Sequence, residues 1–236
     1  MDARIKTAWP MFALRIRSER LVLRLPKDDE LVALMALAKA GIHPAREMPF
    51  GIAWSTRPSP AFEREFLQYH WLMRATWKPE DWWLNLMVER DGDLIGSQSL
   101  HAEQFAITRT VETGSWLGHA YQGRGFGKEM RAAILAFAFD QLGAHVATTE
   151  AFLDNAASNG VSRSLGYREN GLGSLAPEGV ARDTRRFRLT AEDWHARPRP
   201  AITVDGLAAC RDLFGMPPKS ARVAKTGRTG KIGVEP

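Results

Sequence analysis

Polar and apolar residues alternate through residues 20–25, and Pro26 closes the run; a period of two reads as a strand. The period then lengthens. Leu31, Leu34, Met35 and Ala38 fall on one helical face, with Asp28 or Asp29 placed to cap it. A second helix starts at Ser59-Pro60, a cap and first-position pair, carries Phe62, Phe66, Tyr69 and Met73 on one face, and ends at Pro79. Residues 83–89 and 94–100 flank Asp91-Gly92, which predicts a hairpin. Residues 108–117 predict the next strand. After Lys128, Met130, Ile134, Phe137, Ala138 and Leu142 follow the 3.6-residue period of a helix with one buried face. Residues 146–152 read as a strand, 155–165 as a helix, 167–171 and 185–189 as strands, and 192–197 as a last helical turn. This order predicts an α/β (α+β) domain: a mixed sheet of six to seven strands flanked by helices, not a doubly wound one.

The stretch from Trp116 to Lys128 runs an apolar segment into a glycine-alternating turn and then into a helix. The first turn of a helix has N–H groups without intrahelical partners, and its dipole favours negative charge. Glycines at 123, 125 and 127 remove side chains that would keep a phosphate from those N–H groups, and Arg124 and Lys128 add countercharge. The physical reading is a pyrophosphate cradle. A Walker-type loop fails, because Glu129 follows Gly127-Lys128 where Ser or Thr is needed, and Gln122 stands where the first glycine should be. A dinucleotide fingerprint fits poorly, since its third glycine arrives one residue early.

The remaining pattern is Gln/Arg-x-x-Gly-x-Gly/Ala, met by Gln122, Gly125 and Gly127. It resembles the coenzyme A loop of the GCN5-related N-acetyltransferase (GNAT) superfamily. Downstream, Asn155-Ala156-Ala157-Ser158 and Leu165-Gly166-Tyr167 resemble the Asn-x-x-Ser…Leu-Gly-Phe/Tyr signature of its ribosomal-protein alanine N-acetyltransferase branch. The resemblance implies a GNAT fold with a mostly antiparallel sheet, acetyl-CoA or another acyl-CoA as co-substrate, and no metal. It places the coenzyme on Trp116, Leu117 and the loop Gln122, Gly123, Arg124, Gly125, Phe126, Gly127 and Lys128. Asn155 would hold the pantetheine arm, Ser158 the leaving sulfur, and Arg163 the 3′-phosphate. Most of the superfamily has a tyrosine as acid where this chain has Ser162. Residues 41–57, with His43, Phe50 and Trp54, would lie beside the acceptor groove.

Acyl transfer to an amine needs a neutral nucleophile. An α-amino group with pKa ~7.7–8.0 is partly neutral at pH 7, whereas a lysine at ~10.4 is almost wholly charged. A general base therefore matters most for lysine-like acceptors. Glu112 resembles the strand glutamate that serves this role in the superfamily, with Glu150 as the runner-up; Glu112 shares one strand face with Gly114 and Trp116. The Leu117 N–H would polarise the thioester carbonyl. The acceptor is a primary amine: a protein N-terminus, a lysine or a small molecule. A succinyl-type donor and a non-catalytic acyl-CoA-binding module remain as alternative readings, and a homodimer is raised by the resemblance.

Composition narrows the rest. The 236 residues, 44% hydrophobic and 25% charged, are those of an ordinary globular chain. No apolar run approaches the ~20 residues of a membrane helix, and no apolar signal-peptide core follows Met1. One cysteine, Cys210, excludes an internal disulfide, and six histidines lack metal-ligand spacing. A cytoplasmic, metal-free protein is expected. From residue 198 onward seven basic residues face three acidic ones, +4 of the total +5, so residues 1–197 carry only about +1. This argues against a nucleic-acid-binding face. The expected domain is 1–197. The extension 198–236 would hold a short helix near 205–214, burying Leu207, Cys210, Leu213 and Phe214, and then a basic tail (Lys219, Arg222, Lys225, Arg228, Lys231) with little to bury and disorder as its default.

Overall fold

The structure, a computed structural model, describes residues 2–217. Its strands are β1 (Arg15–Arg17), β2 (Val22–Arg24), β3 (Asp81–Arg90), β4 (Asp93–Glu103), β5 (Thr110–Leu117), β6 (Val146–Phe152), β7 (Arg168–Leu175), β8 (Arg182–Thr190) and β9 (Thr203–Asp205). They form one sheet in the order β7-β8-β6-β5-β4-β3-β2-β1-β9. Every neighbouring pair is antiparallel except β5 and β6. The mixed, mostly antiparallel sheet is as expected, but nine strands replace six to seven. The two additions, β1 and β9, are three residues each, too short for alternation to register.

The helices are α1 (Ala3–Ala8), α2 (Asp28–Lys39), α3 (Ala61–Ala75), α4 (Phe105–Thr108), α5 (Phe126–Ala136), α6 (Ala156–Ser164) and α7 (Ala191–His195). Helix α5 buries Met130, Ala133 and Ile134 with Trp82, Leu84, Leu86, Leu100 and Val111 of one sheet face. Helices α2 and α3 form a second cluster, of Leu31, Leu34, Ala38, Phe62 and Phe66. Three local expectations need correction. Pro60, not Ser59, is the N-cap residue of α3, and no side chain caps that end. Asp28 and Asp29 lie inside the first turn of α2, and its entry is fixed instead by the Lys27 N–H donating to Glu30 Oε2 (2.7 Å). On α3 Tyr69 is 43% exposed and His70 is buried in its stead. Burial pushes His70 down to about 4, so it packs as a neutral ring 4.8 Å from Phe66.

Residues beyond 197 join this core. Strand β9 pairs with β1, Arg15 opposite Asp205. The helix expected near 205–214 is two 3₁₀ turns, Leu207–Cys210 and Asp212–Phe214. Gly206, at φ 79°, starts them where a Cβ would overlap the Ala13 carbonyl. Phe214 is fully buried against Trp77, Trp82 and Phe137, and Trp77 Nε1 donates to Leu213 O (2.7 Å). The basic positions from Lys219 onward lie outside the described residues. No described helix is long and apolar enough to cross a membrane.

Candidate active site

Strands β5 and β6 pair only at Thr110–Val146, Val111–Ala147 and Glu112–Thr148. Beyond that point they part, β5 running on to Leu117 and β6 to Phe152. The parallel pair thus opens into a fork whose apex is Glu112. On β5 the Gly118 N–H donates to Ile95 O, toward β4 (3.0 Å). Alternation then turns the N–H groups of Leu117 and Ser115 the other way, into the fork. The fork exposes backbone donors that no strand satisfies, a slot for an extended chain bearing carbonyl groups.

At the open end of the fork, residues 118–125 turn into α5. Gly123 and Gly125 hold φ 71° and 82°, a region that disfavours side chains, and Gly125 is the N-cap residue. Arg124 and Lys128 are exposed, and neither joins an ion pair among the described residues. Gln122 does a different job. Its Nε2 donates to Ile42 O (2.8 Å) and Leu117 O (2.9 Å), tying the loop to the end of β5 and to the chain after α2. Glu129, which would repel a phosphate, is engaged. Burial pushes its carboxyl up, but bonds from Ser18 and from the Arg20 backbone and side chain hold it below the usual carboxylate range. The open glycines, free cations and neutralised acid suit a pyrophosphate. Gln122→Ala is expected to remove about 1 kcal/mol of stability and to weaken coenzyme A binding, both read from melting curves with and without ligand. Unchanged curves would mean that the loop holds itself.

Other predicted residues divide. Asn155 caps α6, its Oδ1 accepting from the Ser158 N–H (3.0 Å). This fixes Ser158, half-buried, on the first turn. The turn is pinned from below by Asn159, 2% exposed, whose Nδ2 donates to Phe152 O and Asn155 O. Arg163 is half-exposed and faces Glu169 (3.0 Å) in a surface pair that holds it only weakly. The Phe126 ring is buried under Arg20 and Arg90 (4.6 and 5.1 Å), which leaves only its backbone for a ligand. The Trp116 ring packs on Trp54 (6.1 Å). Trp54 also meets Phe50, Phe62 and Phe66, so the Trp54 and Phe50 rings of the 41–57 loop pack, partly buried, against the second cluster. That loop is bound to the β7–β8 hairpin, where Arg182 donates to Met48 O (2.7 Å).

On the face opposite α5, Trp83, His101 and Glu112 line up across β3, β4 and β5. The His101 ring stacks on Trp83 at 3.9 Å and 13°, with Nδ1 3.9 Å from Glu112 Oε2 and Nε2 3.4 Å from Asp81 Oδ1. Pattern reading passed over His101, because only the register of β4 on β5 puts it beside Glu112. The two candidate bases are now distinct. Glu150 accepts from Thr184 and faces Arg186 Nε (3.5 Å), whereas the Glu112 side chain is 53% exposed at the fork apex.

Residues 20–168 match the family model of the acetyltransferase (GNAT) domain. The chain belongs to the GNAT acetyltransferase family. Solved structures share the GNAT fold. Mycobacterium smegmatis RimJ in complex with CoA-disulfide is 20% identical, covers 80% of this chain and 94% of its own, and superposes with a TM-score of 0.60. RimL, a ribosomal L7/L12 alpha-N-protein acetyltransferase in complex with coenzyme A, is 16% identical with a TM-score of 0.59, covering 73% of this chain and 95% of its own. A spermidine N-acetyltransferase SpeG chimera from Vibrio cholerae and hSSAT is 21% identical with a TM-score of 0.59, covering 76% of this chain and 100% of its own. As a GNAT enzyme the chain is an N-acetyltransferase.

Proposed function

We propose that the protein transfers an acyl group, acetyl by default, from coenzyme A directly to a primary amine. The observation that carries this is the fork with its glutamate apex, opening toward the glycine loop. The loop N–H groups, Arg124 and Lys128 would hold the pyrophosphate, and Asn155 Nδ2 with the Leu117 N–H the pantetheine arm. Strand geometry favours Ser115 over Leu117 as the donor to the reacting carbonyl. Leu117 is five residues from Glu112, about 16 Å at ~3.3 Å per residue, while Ser115 is three, about 10 Å; only the second suits a glutamate acting through one bridging water. The C–N bond forms and the C–S bond breaks. Glu112 accepts one proton from the ammonium group, the Ser115 N–H stabilises the carbonyl oxygen as charge builds, and the departing sulfur, hydrogen-bonded by Ser158, takes the second proton that the nitrogen sheds as the intermediate collapses and leaves as the thiol. No residue carries the acyl group in between. Cys210 is buried among core residues, and burial with Asp212 nearby pushes its thiol up to about 12. An amine fits the acceptor face, where the Glu112 and Asp81 carboxylates flank the His101 ring stacked on Trp83. The basic positions from Lys219 onward have no assigned role in this reading.

Thermal unfolding with coenzyme A and acetyl-CoA tests the reading. At ~100 times its dissociation constant a ligand adds about 2.7 kcal/mol, a rise of roughly 5–10 °C; no rise with either removes the basis for the assignment. Ser158→Ala should lower kcat by about tenfold with little change in coenzyme A affinity, because a thiol of pKa ~8.5 is already a fair leaving group. An unchanged kcat would clear Ser158 of any part in the chemistry.

A further inference from the structure

One buried cation takes no part in this chemistry. Arg131 on α5 is 4% exposed and reaches up between β5 and β6, just past their last paired residues. Its terminal nitrogens donate to Ser115 Oγ (2.9 Å) and Thr149 Oγ1 (3.3 Å). Its buried Nε has no partner. A guanidinium has five N–H donors, and here the groups around it are neutral. Thr149 gives its own proton to Thr113 O (2.9 Å), and the Tyr167 hydroxyl shares a bond with Thr113 Oγ1 (3.2 Å). Burial holds Tyr167 above its ordinary range, so it supplies no negative charge. Among the described residues Arg131 forms no ion pair; Tyr167 is the one titratable group beside it.

A guanidinium removed from water without an anion is costly, and hydroxyl partners return only part of that cost. The cation sits where an anion would bring the largest return, because Ser115 offers its side chain to Arg131 and its N–H to the fork. Resting on the acyltransferase reading above, we propose that the fork accepts an acyl donor whose acyl chain ends in a carboxylate, a dicarboxylic monothioester of coenzyme A, with that carboxylate paired to Arg131. The planar fork of the guanidinium matches a carboxylate in bidentate fashion, whereas a plain alkyl chain leaves the charge unanswered.

The test is calorimetric titration of the full chain with coenzyme A, butyryl-CoA and succinyl-CoA. The two thioesters carry four-carbon chains that differ in a terminal methyl against a carboxylate. Succinyl-CoA is expected to bind about tenfold or more tightly than butyryl-CoA, and Arg131→Met to abolish that advantage. Arg131→Lys, which keeps the charge but loses the bidentate geometry, should reduce it, and serves if the methionine variant does not fold. Butyryl-CoA binding as well as succinyl-CoA overturns the inference while leaving the acyltransferase reading intact. So does a succinyl preference that survives both substitutions, since the charge would then be read elsewhere. Failure to bind coenzyme A itself removes both.

Discussion

Glu112→Gln is expected to lower kcat for a lysine-like amine by about 10²–10⁴-fold with little change in affinity for the acyl donor. The carboxylate stands at the fork apex, half-exposed, with His101 Nδ1 3.9 Å away. Glutamine keeps the shape and the hydrogen-bonding capacity but cannot take a proton. The loss should shrink for an α-amine of pKa ~7.7–8.0 and as the pH is raised toward the acceptor's own pKa, because more of the nucleophile is then already neutral. Initial rates at several pH values, for one lysine-like and one α-amine acceptor, read this directly. If the variant kept wild-type rates with both, the base would have to be another group. Glu150 would be the next to replace, although its bond from Thr184 and its pairing with Arg186 already occupy it.

Phe214→Ala is expected to destabilise the protein by about 3–5 kcal/mol, lowering the melting midpoint by roughly 6–20 °C. The ring is fully buried, its centroid 5.0 Å from that of Trp82, 5.7 Å from Trp77 and 6.0 Å from Phe137. Trp77 also donates to the neighbouring Leu213 carbonyl, so little of the surrounding structure is free to collapse into the space. A change below about 1 kcal/mol, the centre of ordinary point mutations, would show that residues 207–214 lie on the domain without supporting it.

What could be read in the sequence was whatever local chemistry restricts. Asp91-Gly92 requires two positive φ angles, and the structure gives 51° and 90° there, so the hairpin followed, though not the shift in its register between Val88 and Glu89. Gly123 and Gly125 were legible for the same reason. Gln122 was seen only as part of the loop pattern, because its Ile42 partner lies eighty positions earlier in the chain. Arg131, next to Met130 in an amphipathic helix, has the look of a solvent-facing residue; only the parting of β5 and β6 reveals a polar pocket above it. The packing of Trp54 on Phe50, Phe62 and Phe66 could not be read, because a loop rich in aromatics is ambiguous until its neighbours are placed. Strands β1 and β9 are three residues each, and their pairing is decided by tertiary contact alone.

The partnership of β1 with β9 has a consequence during synthesis. Residues 15–17 leave the ribosome early and residues 203–205 late, so the edge of the sheet beside β1 stays without its last strand until nearly all of the described chain has emerged. The Trp77 and Trp82 rings wait as long for Phe214. Because contacts between distant residues close last and leave strand edges open meanwhile, arrested chains that end before residue 203 are expected to be cut readily by protease, and chains that include residue 217 to resist. Equal resistance of the two would place the completion of the fold earlier, with β9 added to a sheet already secure.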